Sequence, residues 1–119
     1  MSDRRLLRPT IETSPAATPA EAFQNDTLRP ILKMQHDLLL AVFDHFLGKR
    51  KVKLRQLPPS ARAEKVAELV SRDNRLRGLL FGAVIGQFET EELDYYLANE
   101  REVNQRLTGL LTQRIGGAF

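Results

Sequence analysis

The sequence predicts an all-α protein: a compact bundle of four main helices, two long and two short, behind a flexible N-terminal arm. Three observations carry that reading. Apolar residues beyond position 27 recur at the three-and-four spacing of a helix face. The breaks between periodic stretches hold Gly, Pro, Asp and Asn, the residues that stop or cap helices. The 119 residues, 42% hydrophobic and 28% charged, are enough chain and enough apolar surface for one folded domain. The arm takes residues 1–19 and the helical bundle domain 20–117.

Within the arm, Arg4, Arg5 and Arg8 precede Pro9, and Pro15 and Pro19 punctuate a stretch of Ser, Thr and Ala that builds no helix face. The arm reads as solvated, with its arginines open to nucleic acid or an acidic surface. Leu6, Leu7 and Ile11 offer local packing on the domain or on a partner subunit.

Thr18 and Glu21 form a capping-box pattern with Pro19 in the first helical position, which allows a short leading helix. The first long helix is expected from Leu28 to Leu47. Its stripe is 28, 31, 32, 38, 39, 42, 43 and 46, with Thr27 as N-cap, Pro30 in the first turn and Gly48 as the stop. A basic connector, Lys49 to Leu57, leads to Pro58 and Pro59, which open a second helix reaching Arg72. Its stripe is Ala63, Val66, Ala67, Leu69 and Val70. Asp73-Asn74 interrupts the run before a third helix to Gly86. Thr90 starts the last helix, with Glu91, Glu92 and Asp94 at the positive end of its dipole and Gly116-Gly117 as its stop. Its stripe is Leu93, Tyr96, Leu97, Val103, Leu107, Leu110, Leu111 and Ile115.

The third helix carries Leu79, Leu80, Phe81, Ala83, Val84 and Ile85 around nearly its whole circumference, so one buried face does not satisfy it. It is expected at the centre of the bundle or shared with a second subunit. Gly78, Gly82 and Gly86 recur every fourth residue and form a smooth strip along one side. Each helical glycine costs about 1 kcal/mol, so three in register point to a close backbone approach. Gly78, Gly82, Gly86, Phe81 and Ile85 are therefore the candidate oligomer-packing residues. A strand over 79–87 is the alternative that a short apolar run leaves open.

Four polar residues fall on apolar faces: Gln35, Gln87, Glu100 and Asn104. Burying such groups without partners costs a few kcal/mol. Either they bond one another in a network that fixes register, or they line a ligand site between helices. A second candidate is the run Lys49, Arg50, Lys51, Lys53 and Arg55, five cations in seven residues, suited to phosphates or an acidic partner. No aromatic residue interleaves it to stack on bases.

Other chemistry is excluded more firmly. With no cysteine there are no disulfides, thiol nucleophiles, zinc fingers or cysteine-held clusters. His36 and His45 sit nine residues apart on one predicted helix and point to opposite sides, so they do not share a metal. Neither has a Glu three residues before it. No position supports a histidine triad with Ser14, Ser60 or Ser71, and the Gly78–Gly86 spacing is not a phosphate loop. No cofactor or metal is called for. No apolar run reaches the ~20 residues of a membrane span, so no membrane association is expected.

Arg8-Pro9-Thr10-Ile11, Phe23-Gln24-Asn25, Leu28-Arg29-Pro30-Ile31-Leu32-Lys33, Gln35, Gly86-Gln87-Phe88, Arg106 and Arg114 together resemble a small bacterial family of all-helical proteins without an assigned activity. Some members carry a glyoxalase-type label. Such enzymes use an α/β fold and His/Glu metal ligands, which this chain does not supply. The resemblance implies a cytoplasmic bacterial protein.

The function expected from these observations is a non-enzymatic module that self-associates as a dimer, with a protein partner also possible. The alternatives are a small-ligand or enzymatic site at Gln35, Gln87, Glu100 and Asn104, and nucleic-acid binding through 49–55.

Overall fold

The computed structural model describes residues 3–11 and 16–119, and among them there are helices and no strands. The α-helices are α1 (Pro19–Phe23), α2 (Arg29–Met34), α3 (His36–Lys49), α4 (Pro59–Arg72), α5 (Asn74–Ile85), α6 (Thr90–Ala98) and α7 (Glu100–Ala118). The strand alternative over 79–87 is therefore set aside. Helix α7 packs on α4 and α3, α5 packs on α3 and α4, and α6 leans on α7. The longest extent is 45 Å against 26 and 25 Å across.

The chain enters α1 as its residue types dictate. Thr18 Oγ1 accepts from the Glu21 N–H at 3.1 Å, and Pro19 takes the first turn. The helix does not restart at Thr27. It runs on through a π-helical turn, Gln24–Leu28, into α2. Pro30 explains the wide turn, because it has no N–H to give the carbonyl four residues back and its ring would collide with that carbonyl in a regular α-helix. Thr27, expected as a cap, is buried instead, and its hydroxyl donates to Glu92 Oε2 at 3.0 Å.

The predicted first long helix is broken once, at Gln35, whose backbone (φ −93°, ψ 9°) lies between α2 and α3. Gly48 does not end α3. The left-handed residue is Lys51, at φ 56°. Around it the N–H of Lys51 reaches the Gly48 carbonyl at 3.2 Å and that of Val52 the Leu47 carbonyl at 2.9 Å. That is a Schellman motif in which lysine holds the place usually given to glycine.

Helix α4 opens at Pro59 and stops at Arg72, as expected. Asp73 then caps α5, accepting from the Leu76 N–H at 3.2 Å. The predicted last helix is two helices, broken at Asn99 (φ −133°, ψ 34°). The break explains why one stripe drawn through both misplaces α6. Leu93 and Leu97 face solvent, while Glu92 and Tyr96 are buried. Gly116 and Gly117 do not stop α7, which continues through them to Ala118.

Leu28, Ile31, Leu39, Phe43, Val70, Leu76, Leu80, Val84, Leu107, Leu111 and Ile115 are wholly buried, each contributing about 1.5–3 kcal/mol of burial. Phe119 closes one end, its ring 5.6 Å from that of Phe43 and its carbonyl accepting from Arg62 Nη1 at 2.9 Å.

The described part of the arm is docked on the bundle and does not stand off as a flexible tail. A 3₁₀ turn spans Asp3–Leu7. Arg8 follows, with only 4% of its side chain exposed, against Glu92 at 2.7 Å. Arg4 adds a contact to Glu89 at 3.7 Å and Arg5 one to Glu91 at 3.2 Å, so charge holds the segment while Leu6 and Leu7 remain exposed. Residues 1, 2 and 12–15, including Ser14, lie outside the described residues.

Candidate functional site

Among the described residues, the outer face of α5, beside α3, is exposed and carries a strip of glycines. The two helices run antiparallel: Arg50 at the end of α3 meets Asp73 at the start of α5, and Gln35 ahead of α3 reaches Ala83 near the end of α5. Leu76, Leu80, Phe81 and Val84 turn inward. The remaining arc carries Gly78, Leu79, Gly82 and Gly86, with Leu79 49% exposed. One turn along α3 from Gln35 stands Leu38, 48% exposed.

The expectation of a close backbone approach at the glycine strip does not hold inside this chain. A Cβ at Gly78 or Gly82 would meet nothing within 4 Å; only at Gly86 would it press on another group, the Gly82 carbonyl at 3.0 Å. Nor is α5 buried all round. Phe81, expected at an oligomer contact, is core, with the Arg77 guanidinium 4.2 Å above its ring. Ile85 is half-buried.

The four polar residues do not converge on one cavity. Gln35 Nε2 donates to the Ala83 carbonyl at 3.3 Å, which is a register contact between α3 and α5. Gln87 contributes its backbone carbonyl, which accepts from Arg8. Asn104 Oδ1 accepts from the Tyr96 hydroxyl at 2.7 Å, and its carbonyl accepts from Thr108 Oγ1 at 2.8 Å. Glu100, one turn before Asn104, is exposed. Burial pushes the Tyr96 phenol up, and the negative charge of Glu100 adds to that. The α7 pair therefore belongs with Tyr96, and the two glutamines belong elsewhere.

The basic connector is partly spent on structure. Arg50 grips Asp73 through Nε at 2.7 Å and Nη2 at 3.1 Å. Those hydrogen bonds hold the Asp73 carboxyl below its usual range. Lys49 and Arg50 lie over the Phe46 ring and Arg55 over Phe119, at 5.6, 5.4 and 5.1 Å. Lys51 and Lys53 remain exposed. His36 and His45 share no metal cluster, and none is formed among the described residues.

The best-built polar cluster is one that sequence reasoning missed. Glu92 accepts from both terminal nitrogens of Arg8 (2.7 and 2.9 Å), from the Thr27 hydroxyl (3.0 Å) and from the Glu89 N–H (2.8 Å). Burial pushes its carboxyl up, but the hydrogen bonds from Arg8, the Glu89 N–H and Thr27 outweigh that, and it stays below its ordinary value. Its signal was present locally. Glu89-x-x-Glu92 is a capping box, and both halves of it form. Arg8, more than 80 residues upstream, carried no such mark.

No protein-family model, no curated protein and no solved structure matches this chain.

Proposed function

We propose that this chain is a non-enzymatic interaction module that self-associates as a dimer through the outer face of α5 and the adjoining turn of α3. The observation that carries the reading is the open strip at Gly78 and Gly82 beside half-exposed Leu79. Two glycines in a helix interior cost about 1 kcal/mol each, and among the described residues nothing comes close enough to require them. A second copy of the same helix, related by a two-fold axis, would set strip against strip. The leucines Leu79 and Leu38 would then be buried at its margins, as an isologous interface demands.

The experiment is native mass spectrometry and sedimentation velocity on the full chain, with Gly82→Leu and Leu79→Lys. The wild type is expected as a dimer at tens of micromolar and both variants as monomers. Because the Gly82 site is open, Gly82→Leu keeps the subunit folded and favours α5 by about 0.8 kcal/mol through helix propensity. A wild type that stays monomeric at 100 µM, or a Gly82→Leu dimer as tight as the wild type, overturns the proposal.

A further inference from the structure

A cavity of about 510 Å³ lies between the α2–α3 junction and the last turns of α7, with the arm as one wall. Its apolar lining is Ile11, Leu32 and Leu110; its polar lining is Arg29, His36, Gln113 and Arg114. No acidic side chain lines it among the described residues, and neither Arg29 nor Arg114 forms an ion pair there. Arg8 and Arg50 are matched to carboxylates, Glu92 and Asp73, while Arg62 and Arg77 bond carbonyl and hydroxyl oxygens. In the cavity, too, the partners are neutral. Arg29 Nε donates to Asn25 Oδ1 at 3.2 Å, and Arg114 Nη1 lies 3.1 Å from His36 Nδ1.

Those contacts fix the two guanidinium groups without discharging them. Arg29 is held by a side chain one turn earlier on its own helical run, and Arg114 by a ring from the start of α3. A guanidinium presents a planar fork of donors that matches a carboxylate or phosphate. Two of them in one lining, beside Ile11, Leu32 and Leu110 and in a volume typical of small-molecule sites, define a ligand of one chemistry. We infer that this cavity binds an amphipathic organic anion, its charged group held by Arg29 and Arg114 and its apolar body lying on Ile11, Leu32 and Leu110. The site is separate from the α5 face, so it stands or falls independently of dimerisation.

The test is calorimetric titration of the full chain with 2-naphthoate, with its neutral analogue 2-naphthalenemethanol and with inorganic phosphate, followed by methyl NMR of the complex. The expected result is a submillimolar 2-naphthoate Kd, at least tenfold tighter than either control. Shifts should fall on Ile11, Leu32 and Leu110, and Arg29→Ala and Arg114→Ala should each lose at least tenfold. If Arg114→Ala melts early, Arg114→Lys keeps the charge, loses the fork and should still lose several-fold. Four results overturn the inference: no heat at 1 mM; equal affinity for the neutral analogue; equal affinity for phosphate alone, which removes the apolar lining from the argument; or shifts confined to other faces.

Discussion

Removing Arg8 from Glu92 is the sharpest perturbation available in this fold. The pair is nearly dry, with 4% and 9% of the two side chains exposed. The carboxylate keeps two other donors, the Thr27 hydroxyl and the Glu89 N–H, and the Arg5 guanidinium 3.7 Å away. Breaking a buried pair from one side costs ~3–5 kcal/mol when the remaining charge is left uncompensated, and Arg5 offsets part of that here. In Arg8→Ala the arm can lift and let water reach Glu92, which caps the loss at about the free energy that docks the arm, so about 2–3 kcal/mol is expected. Glu92→Ala strands the guanidinium and also removes half of the capping box, adding ~1 kcal/mol. The double variant has no orphaned charge and should fall short of the sum by about 1–3 kcal/mol. Arg8→Lys should recover less than half of the Arg8→Ala loss, since a single ammonium cannot make both contacts. The assay is urea unfolding of the wild type and the four variants, with hydrogen exchange at Gln87–Glu92 as a local readout. If Arg8→Ala loses less than 0.5 kcal/mol and Gln87–Glu92 exchange is unchanged, the arm is not held by this pair and the reasoning fails.

Three further outcomes follow from the same geometry. The Glu92 carboxyl lies below its ordinary value of 4.5, so the unfolded chain takes up a proton there first. The stability it supplies is complete above about 4.5 and is lost as pH falls through the lower folded value; urea midpoints at pH 7, 5, 4 and 3 should drop in the wild type and drop less in Glu92→Gln, where Asp73 alone of the two lowered carboxyls remains. Lys51→Gly removes a left-handed lysine at φ 56°, a strain of about 1–2 kcal/mol, against ~0.5–1 kcal/mol of added unfolded-state freedom; a melting temperature raised by about 2–4 °C is expected, and a lowered one would show that the lysine side chain matters to the turn. Phe119→Ala strips a ring from Phe43 and from Arg55 and should cost about 1.5–2.5 kcal/mol, roughly half of the loss for a fully buried phenylalanine, read by urea unfolding.

Helix existence and type were legible in the sequence because they rest on local periodicity. Pro59, Asp73 and Thr18 each open a helix where their own chemistry requires it. Errors cluster where a helix is interrupted inside a periodic run. Gln35 is a good helix former, yet the backbone turns there, and at Asn99, a capping residue type, the apolar period on both sides hid the break. The turn at Asn99 resets the phase, so a stripe projected from α7 put Leu93 and Leu97 inside and Glu92 outside. Glycine misled in the opposite direction. Gly48, Gly116 and Gly117 all lie within helices, while Lys51 takes the left-handed turn. A glycine permits a stop and does not enforce one.

The polar sites were less legible, and the reason is sequence distance. A buried polar side chain announces itself on a helical wheel only if the wheel's phase is right and its partner lies close in sequence. Asn104 stood out because its phase within α7 was right, with its partner Tyr96 only eight residues away across the break at Asn99; Glu92 did not, since its phase was misdrawn and its partner Arg8 sat in a segment with no period at all. The arginines of the cavity failed for a further reason. Arg29 and Arg114 are separated by most of the chain and come together only because the α1–α3 run and α7 lie side by side, as Arg106 on Gln24 and Arg114 on His36 show. Along that seam Arg29–Asn25 and Arg114–His36 each set a cation on a neutral partner within hydrogen-bond reach, whereas Arg106 bonds Gln24 and also pairs with Glu102 at 3.5 Å. A carboxylate in place of Asn25 or His36 would add the attraction of opposite charges and a second, parallel N–H···O bond to its arginine. Neutral partners hold the guanidinium groups in place and leave their charge to a third group, which is what a site for an anion requires.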